Sequence, residues 1–278
     1  FLSMSVMGHS GPWRNYSGFG PAVQAFSGIT RLTAYPGRPP SGIGYAYADH
    51  IAGLYGSLAL LGALEYRRRT GRGQYIDLSQ TETMTSLLSD AVLDCTMRGR
   101  EAKPVGNISA GSVPCGVYPC RGKDRWCAIE VSTGDEWEGF KRALGQPAWI
   151  NEARFATIAS RQRNREALDR YVQAWTKNLP AEEVAAVLQD EGVPAGLVRN
   201  AADLVNDPQL RYREFFLTPA APDFAGTLFD ASPIRLADSP ASYRRAAPAR
   251  GQDNEYVYRR LLGLSEDEIS ELKQNNII

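Results

Sequence analysis

Asp49 stands where a glycine-containing loop, Gly42-Ile43-Gly44-Tyr45, gives way to a long helical pattern. A carboxylate at the head of a helix accepts free backbone N–H groups as a cap or first-turn residue. The same N–H groups can also stabilise an oxyanion beside a carboxylate that acts as a nucleophile. Spacing leaves both roles open. His9 and His50 are the only histidines, so a metal site or a Ser-His-Asp triad has little to draw on. His50 follows Asp49 directly, and neighbouring helix positions diverge around the axis, so the two side chains are not expected to share one reaction centre. Each reads as a partly exposed surface histidine. Cys115, Cys120 and Cys127 lack the C-x2-C spacing and a nearby histidine, and no metal site is expected from them. The run Arg67-Arg68-Arg69 can grip a phosphate, but beside Gly71 it is explained more simply as the basic end of a helix. Gly71-Arg72-Gly73 is a turn without the lysine and preceding strand of a phosphate loop.

The elements that must hold these residues follow from pattern. Phe1 to Met7 reads as a strand running into the loop Gly8-His9-Ser10-Gly11-Pro12. A strand that opens a chain in the middle of a pattern leads us to expect a missing upstream segment. Residues 8 to 45 are rich in Gly, Pro, Ser and Tyr, with only Ala22 to Ser27 looking helical, and long ordered loops are commonly functional. Tyr47 to Thr70 is predicted as a helix rich in small residues, Gln74 to Ser79 as a strand, and Gln80 to Met97 as one further helix. This succession points to an α/β domain.

After Arg100 the character shifts. Val113 to Cys120 and Arg125 to Val131 alternate about the turn Arg121-Gly122-Lys123-Asp124, the pattern of a β-hairpin. Helices are predicted at Gly134 to Leu144, Arg161 to Lys177 and Ala181 to Glu191, with a strand near Ala195 to Val198. Phe216 to Ala249 reads as extended, and helices at Asn254 to Leu262 and Ser265 to Asn275 end the chain, Ser265 and Glu268 forming a capping box. The expected organisation is a large-domain part at 1–105, a small α+β domain at 106–215 and a C-terminal segment at 216–278.

Composition narrows the partners. Lys plus Arg and Asp plus Glu number 31 each, so the net field recruits neither nucleic acid nor acidic membranes. The hydrophobic fraction of 43% is enough for a buried core. No apolar run reaches the roughly 18 residues of a membrane span. Four cysteines in so long a chain are expected as free thiols in a reducing cytoplasm.

An ordered set of motifs then becomes specific. Gly8-His9-Ser10-Gly11-Pro12, Gln24-Ala25-Phe26-Ser27-Gly28, Asp49 with Gly53, and Ala63-Leu64-Glu65 leading through Arg67, Thr70-Gly71 and Gly73-Gln74 to Ile76-Asp77 resemble the family III CoA-transferases of the CaiB/BaiF type, the group of formyl-CoA transferase and carnitine CoA-transferase. Asn206-Asp207-Pro208-Gln209-Leu210, Pro233-Ile234-Arg235-Leu236 and the ending around Leu264-Ser265, Glu268-Ile269 and Glu271-Leu272 extend the likeness over nearly the whole chain.

The resemblance implies the C-terminal part of that fold, a partial Rossmann-like large domain plus a small α+β domain, with the segment at 216–278 returning to the large domain, in chains that interlock as a homodimer. It implies a catalytic aspartate at the position of Asp49. The family mechanism has this carboxylate attack a donor thioester to give a mixed anhydride, after which the CoA thiolate converts it to an aspartyl-CoA thioester and the acceptor acid reverses the sequence. Acyl-CoA and a carboxylic acid are then the substrates, with no permanently bound cofactor. Most CoA contacts are expected upstream of Phe1. The chain alone is expected to be inactive, or one part of a split or truncated enzyme. Two alternatives stand beside transfer. One is an acyl-CoA racemase, whose branch of the family uses a histidine before the aspartate where Ser17-Gly18-Phe19-Gly20-Pro21 offers Phe19. The other is an inactive fragment or paralogue that serves as a dimerisation partner. Tyr16, Phe19, Phe26, Tyr45 and Tyr47 hint at an aromatic or branched acid.

Overall fold

The computed structural model describes residues 1–218 and 226–278 and divides into two compact units, Phe1–Val198 and Arg199–Ile278. The first unit opens with β1 (Leu2–Ser5), α1 (Gly20–Phe26), a short α2 (Ile29–Leu32) and α3 (Tyr47–Thr70), then β2 (Ile76–Ser79), α4 (Gln80–Ser86) and α5 (Ser89–Arg98). β1 and β2 pair in parallel from Leu2 opposite Ile76 to Ser5 opposite Ser79. Parallel neighbours need a crossover, and α3 supplies it. Helix α3 begins and ends where the sequence pattern puts it. Gly71 adopts φ 73° and its N–H reaches the Arg67 carbonyl at 2.8 Å, a left-handed cap that only glycine takes without strain.

The expected single helix from Gln80 to Met97 is two helices. Thr83, Thr85, Ser86 and Ser89 hydroxyls donate to carbonyls three or four residues back, at 2.7 to 2.8 Å. Such side-chain bonds compete with the helical ladder, and Leu88 leaves helical geometry at φ −102°, ψ 23°. The opening strand is also shorter than the Phe1 to Met7 run, because from Val6 the backbone turns to accept the Thr81 N–H and hydroxyl.

The rest of the first unit is an antiparallel sheet in the order β3 (Cys115–Pro119), β4 (Trp126–Glu130), β5 (Ala195–Leu197), covered by α6 (Gly134–Ala143), α7 (Ile158–Arg163), α8 (Arg165–Thr176) and α9 (Ala181–Asp190). The hairpin and β5 lie as predicted. The predicted helix from Arg161 to Lys177 is instead broken at Asn164, whose side-chain amide donates to the Ser160 and Arg154 carbonyls and whose backbone (φ −112°, ψ 23°) is not helical. Phe140, Phe155, Leu168, Val172, Val184 and Leu188 form a dry core. Arg161 lies buried inside it, its Nε donating to the Val113 carbonyl at 3.0 Å, Nη1 to the Phe155 carbonyl at 3.2 Å, and its guanidinium 4.2 Å from the Trp137 ring. Such a position is tolerable because those acceptors replace water. All four cysteines are free thiols. Cys120 and Cys127 are buried, and burial pushes the Cys127 thiol up to about 12.

The second unit carries helices Ala201–Val205 and Pro208–Tyr212, the short antiparallel pair β6 (Phe216–Leu217) and β7 (Phe229–Asp230), and a final helix Glu266–Gln274 capped by the expected Ser265/Glu268 box. Asp207 caps the helix that begins at Pro208, accepting the Leu210 N–H at 2.8 Å, and pairs with Arg199 at 2.8 Å. The expected helix from Asn254 to Leu262 is wound more widely, as a π-helix over Glu255–Leu261. Within the stretch Phe216 to Ala249, expected to be extended, β6 and β7 are paired strands and residues 219–225 lie outside the described residues. No helix among the described residues is long and apolar enough to cross a membrane.

Candidate active site

Asp49 occupies the first turn of α3, but it is not the cap. Ala46 holds the N-cap position, without a side-chain bond, and the Asp49 N–H reaches the Ala46 carbonyl at 3.1 Å. The Asp49 carboxylate makes its side-chain contacts with other helices. Oδ1 accepts a hydrogen bond from Gln80 Nε2 at 3.2 Å, and Oδ2 lies in the space that a Cβ on Gly20 would take. Three helix starts therefore converge: Gly20 opens α1, Asp49 lies in the first turn of α3, and Gln80 opens α4.

A small apolar cluster fixes this convergence. Val23 of α1, Ala48 of α3 and Met84 of α4 are fully buried against one another, with Val6, Ile29, Tyr47 and Ile51 packed around them. Ala48 adjoins Asp49, and Met84 lies one turn beyond Gln80. The apolar contacts thus set the positions of the polar groups. The loop before α3 is tied down as well, since the buried Gln24 donates from Nε2 to the Tyr45 carbonyl. Ser79 caps α4 through the Glu82 N–H at 3.3 Å, and Thr81 binds the Val6 carbonyl at 2.8 Å, so Gln80 stands on an anchored backbone.

The histidines stand apart from this arrangement. His50 is exposed and stacks on Tyr45 with ring centroids 4.7 Å apart, while exposed His9 contacts Ser3 Oγ through Nε2 at 2.5 Å. The His9 N–H donates to the Asp77 carboxylate at 3.0 Å, which fixes the loop that begins at Gly8. Arg68 and Arg69 pair with Glu65 at 2.7 and 2.6 Å on an exposed helix end, where such pairs contribute little. Phe19 caps α1 by position and is 86% exposed, one residue from the glycine that Asp49 abuts. Among the described residues no cluster of three potential metal ligands occurs.

Sequence reasoning singled out Asp49 and missed Gly20 and Gln80. Nothing in the run Ser79-Gln80-Thr81 marks the glutamine as a partner of a residue 31 positions away. Only the parallel pairing of β1 and β2, with α3 between, brings α4 back to the head of α3.

A second polar group lines a cavity of about 330 Å³ between the segment at Tyr35–Pro36, the loop at Val105–Ile108, β3 and α8. There Tyr118 donates to Asp169 Oδ1 at 2.7 Å. Burial raises the Asp169 carboxyl above its ordinary range, opposed by that bond and by nearby Arg165. Burial also raises the Tyr118 phenol, helped by the Asp169 charge.

Comparison with known proteins places the chain. The model of CoA-transferase family III matches residues 1–254. A succinyl-CoA–D-citramalate CoA-transferase of Chloroflexus aurantiacus is 30% identical over 277 residues, covering 100% of this chain and 69% of that protein. A probable CoA-transferase of Mycobacterium tuberculosis is 33% identical over 282 residues, covering 99% of this chain and 35% of its own length. The crystal structure of a CaiB/BaiF family protein from Brucella suis superposes with a TM-score of 0.83 at 30% identity, over 94% of this chain and 67% of that one. The chain thus spans between about a third and about two thirds of the length of these relatives. On the family match and the shared α/β architecture together, the chain belongs to CoA-transferase family III.

Proposed function

We propose that the protein carrying this chain is a CoA-transferase that moves CoA from an acyl-CoA thioester to a free carboxylic acid, with Asp49 as nucleophile. The observation that carries this proposal is the state of the Asp49 carboxylate. It is freed from capping its own helix, held through one oxygen by a neutral donor, and set against a glycine that leaves its other oxygen room. A carboxylate so placed attacks the thioester carbonyl, and the departing thiolate then attacks the anhydride to give aspartyl-CoA. The relatives named as CoA-transferases support the reaction class. Phe19, at the head of α1 beside Gly20, offers no base for proton exchange at the α-carbon, which favours transfer over racemisation.

The intact protein is proposed to be a dimer, interlocked through a large domain, 1–105 with 216–278, and a small one, 106–215. In support, Leu54, Leu58 and Leu61 of α3 are 67, 71 and 66% exposed, a stripe that needs covering in the whole protein. Unbridged thiols fit a cytoplasmic setting. Asp49→Ala and Asp49→Asn are expected to abolish transfer and the hydroxylamine-sensitive acyl-enzyme seen by mass spectrometry across a panel of CoA esters. Retained turnover would exclude Asp49, and racemisation without an acceptor acid, read as deuterium uptake, would favour the rival reaction. Absence of CoA binding by calorimetry would point to a non-catalytic paralogue.

A further inference from the structure

We propose that Gln80 is the oxyanion donor for the two half-reactions in which the Asp49 carbonyl carbon is attacked, an inference that rests on Asp49 being the nucleophile. The geometry is specific to one oxygen. Gln80 Nε2 donates to Oδ1 at 3.2 Å, while Oδ2 accepts no hydrogen bond among the described residues. An ionised carboxylate can only accept, so the amide must turn its NH2 toward it.

The two oxygens have different fates in the reaction. Oδ2 attacks the donor carbonyl carbon, a C–O bond forms, the C–S bond breaks and the CoA thiolate leaves with the electron pair. The thiolate then attacks Asp49 Cγ, and the π electrons of the Cγ–Oδ1 bond move onto Oδ1. Collapse restores that carbonyl and expels the donor acid as its carboxylate, taking Oδ2 with it. No proton or outside electron is needed. The acceptor carboxylate attacks Cγ in turn, and negative charge again gathers on Oδ1 before the thiolate departs. Oδ1 therefore remains on Cγ throughout the cycle and carries the charge at both attacks on that carbon. The group that faces it is Gln80.

A neutral amide suits this task. It does not neutralise the resting carboxylate and so leaves the nucleophile competent, yet its bond strengthens as charge collects on a single oxygen. A resting length of 3.2 Å is at the long end of the range, with room to shorten in the transition state. The anchoring of α4 by Ser79 and Thr81 keeps the donor in place while that happens.

The test uses the full protein, acyl-CoA and no acceptor acid, with rapid quenching and mass spectrometry of the peptide holding Asp49. Gln80→Met keeps the length and removes the donor, and Gln80→Glu keeps the shape and replaces the donor by a charge. In Gln80→Met the aspartyl-CoA adduct is expected to appear about 10²-fold more slowly, the cost of losing one such donor. Acyl transfer to Asp49, trapped with hydroxylamine, and the acyl-CoA concentration that half-saturates that step are expected to stay within about threefold of wild type. Gln80→Glu should slow the adduct at least as much, and unchanged thermal midpoints confirm that both variants fold. Adduct formation at the wild-type rate, or equal slowing of both steps, would overturn the assignment. Asp49→Ala separates the two proposals: an adduct that survives there overturns the nucleophile and the donor with it, whereas an adduct lost there but formed at the wild-type rate in Gln80→Met overturns the donor alone.

Discussion

Gly20→Ala tests whether the site depends on close packing of α1 against the head of α3. A Cβ at Gly20 would stand 2.8 Å from Ala46 Cβ and 3.0 Å from Ala46 Cα, and closer still to Asp49 Oδ2. Carbon atoms pack at about 3.5 Å or more, so Ala46 must withdraw by about 0.7 Å. Ala46 is backbone at the start of a helix and cannot swing aside as a side chain can. Its carbonyl accepts the Asp49 N–H at 3.1 Å, which passes the shift directly to Asp49. Overpacking of this kind costs about 1–3 kcal/mol, offset by about 0.4–1 kcal/mol from the reduced freedom of the unfolded chain. Net destabilisation of about 1–2 kcal/mol is expected by urea unfolding. Activity should suffer more than stability, because a misplacement of about 1 Å at a reacting group can cost about 10²-fold in rate. Gly134→Ala, at an exposed helix start with nothing within 4 Å of its added Cβ, serves as the control and should leave kcat unchanged while raising stability by about 0.4–1 kcal/mol. A Gly20→Ala protein with wild-type kcat and an unchanged urea midpoint would refute the packing described for Asp49.

Three further outcomes are expected. Gly139→Ala places its Cβ onto the Glu191 carbonyl oxygen, with the Glu191 carbonyl carbon at 3.2 Å and Val193 Cγ2 at 3.3 Å, and should cost about 3 kcal/mol by forcing α6 from the end of α9. Tyr118→Phe removes the donor to buried Asp169 and should cost about 1–3 kcal/mol at neutral pH, measured by urea unfolding. Because the folded Asp169 carboxyl already titrates above its unfolded range, the native state holds the extra proton and stability falls as pH rises through that interval. Loss of the phenol raises that carboxyl further, so the gap between Tyr118→Phe and wild type should widen with rising pH and shrink below the ordinary carboxylate range; a gap independent of pH would contradict this. Met84→Ala should cost about 2–5 kcal/mol and lower kcat as well, since Met84 is fully buried in the cluster that seats Ala48 beside Asp49.

The limits of helix α3 were legible because local chemistry decides them: small residues, an arginine run and Gly71 at its end. The hairpin β3–β4 was legible for the same reason, its alternation being interrupted by a turn with Gly122 and Asp124 at positive φ. The breaks at Leu88 and Asn164 were not, because they arise from serine, threonine and asparagine side chains that bond to carbonyls only once the helices have formed. Asp49 was visible as a candidate, but composition and spacing could not separate a cap from a nucleophile. Whether the carboxylate caps its own helix depends on where Ala46, Gly20 and Gln80 lie in space. Buried Arg161 was equally invisible, since its acceptors are the backbone carbonyls of Val113 and Phe155.

The parallel pairing of β1 with β2 also sets when the group around Asp49 can assemble. Leu2 pairs with Ile76, far along the chain, and Gly20, Asp49 and Gln80 meet only after that loop has closed. Contacts so distant in sequence form late and slowly, whereas the β3–β4 hairpin closes over a four-residue turn and needs no distant partner. A partly folded chain can therefore hold a formed β3–β4 hairpin while Gly20, Asp49 and Gln80 are still apart. The surroundings of Asp49 are thus among the last parts of the first unit to form, and until they do the carboxylate stands without its Gln80 donor.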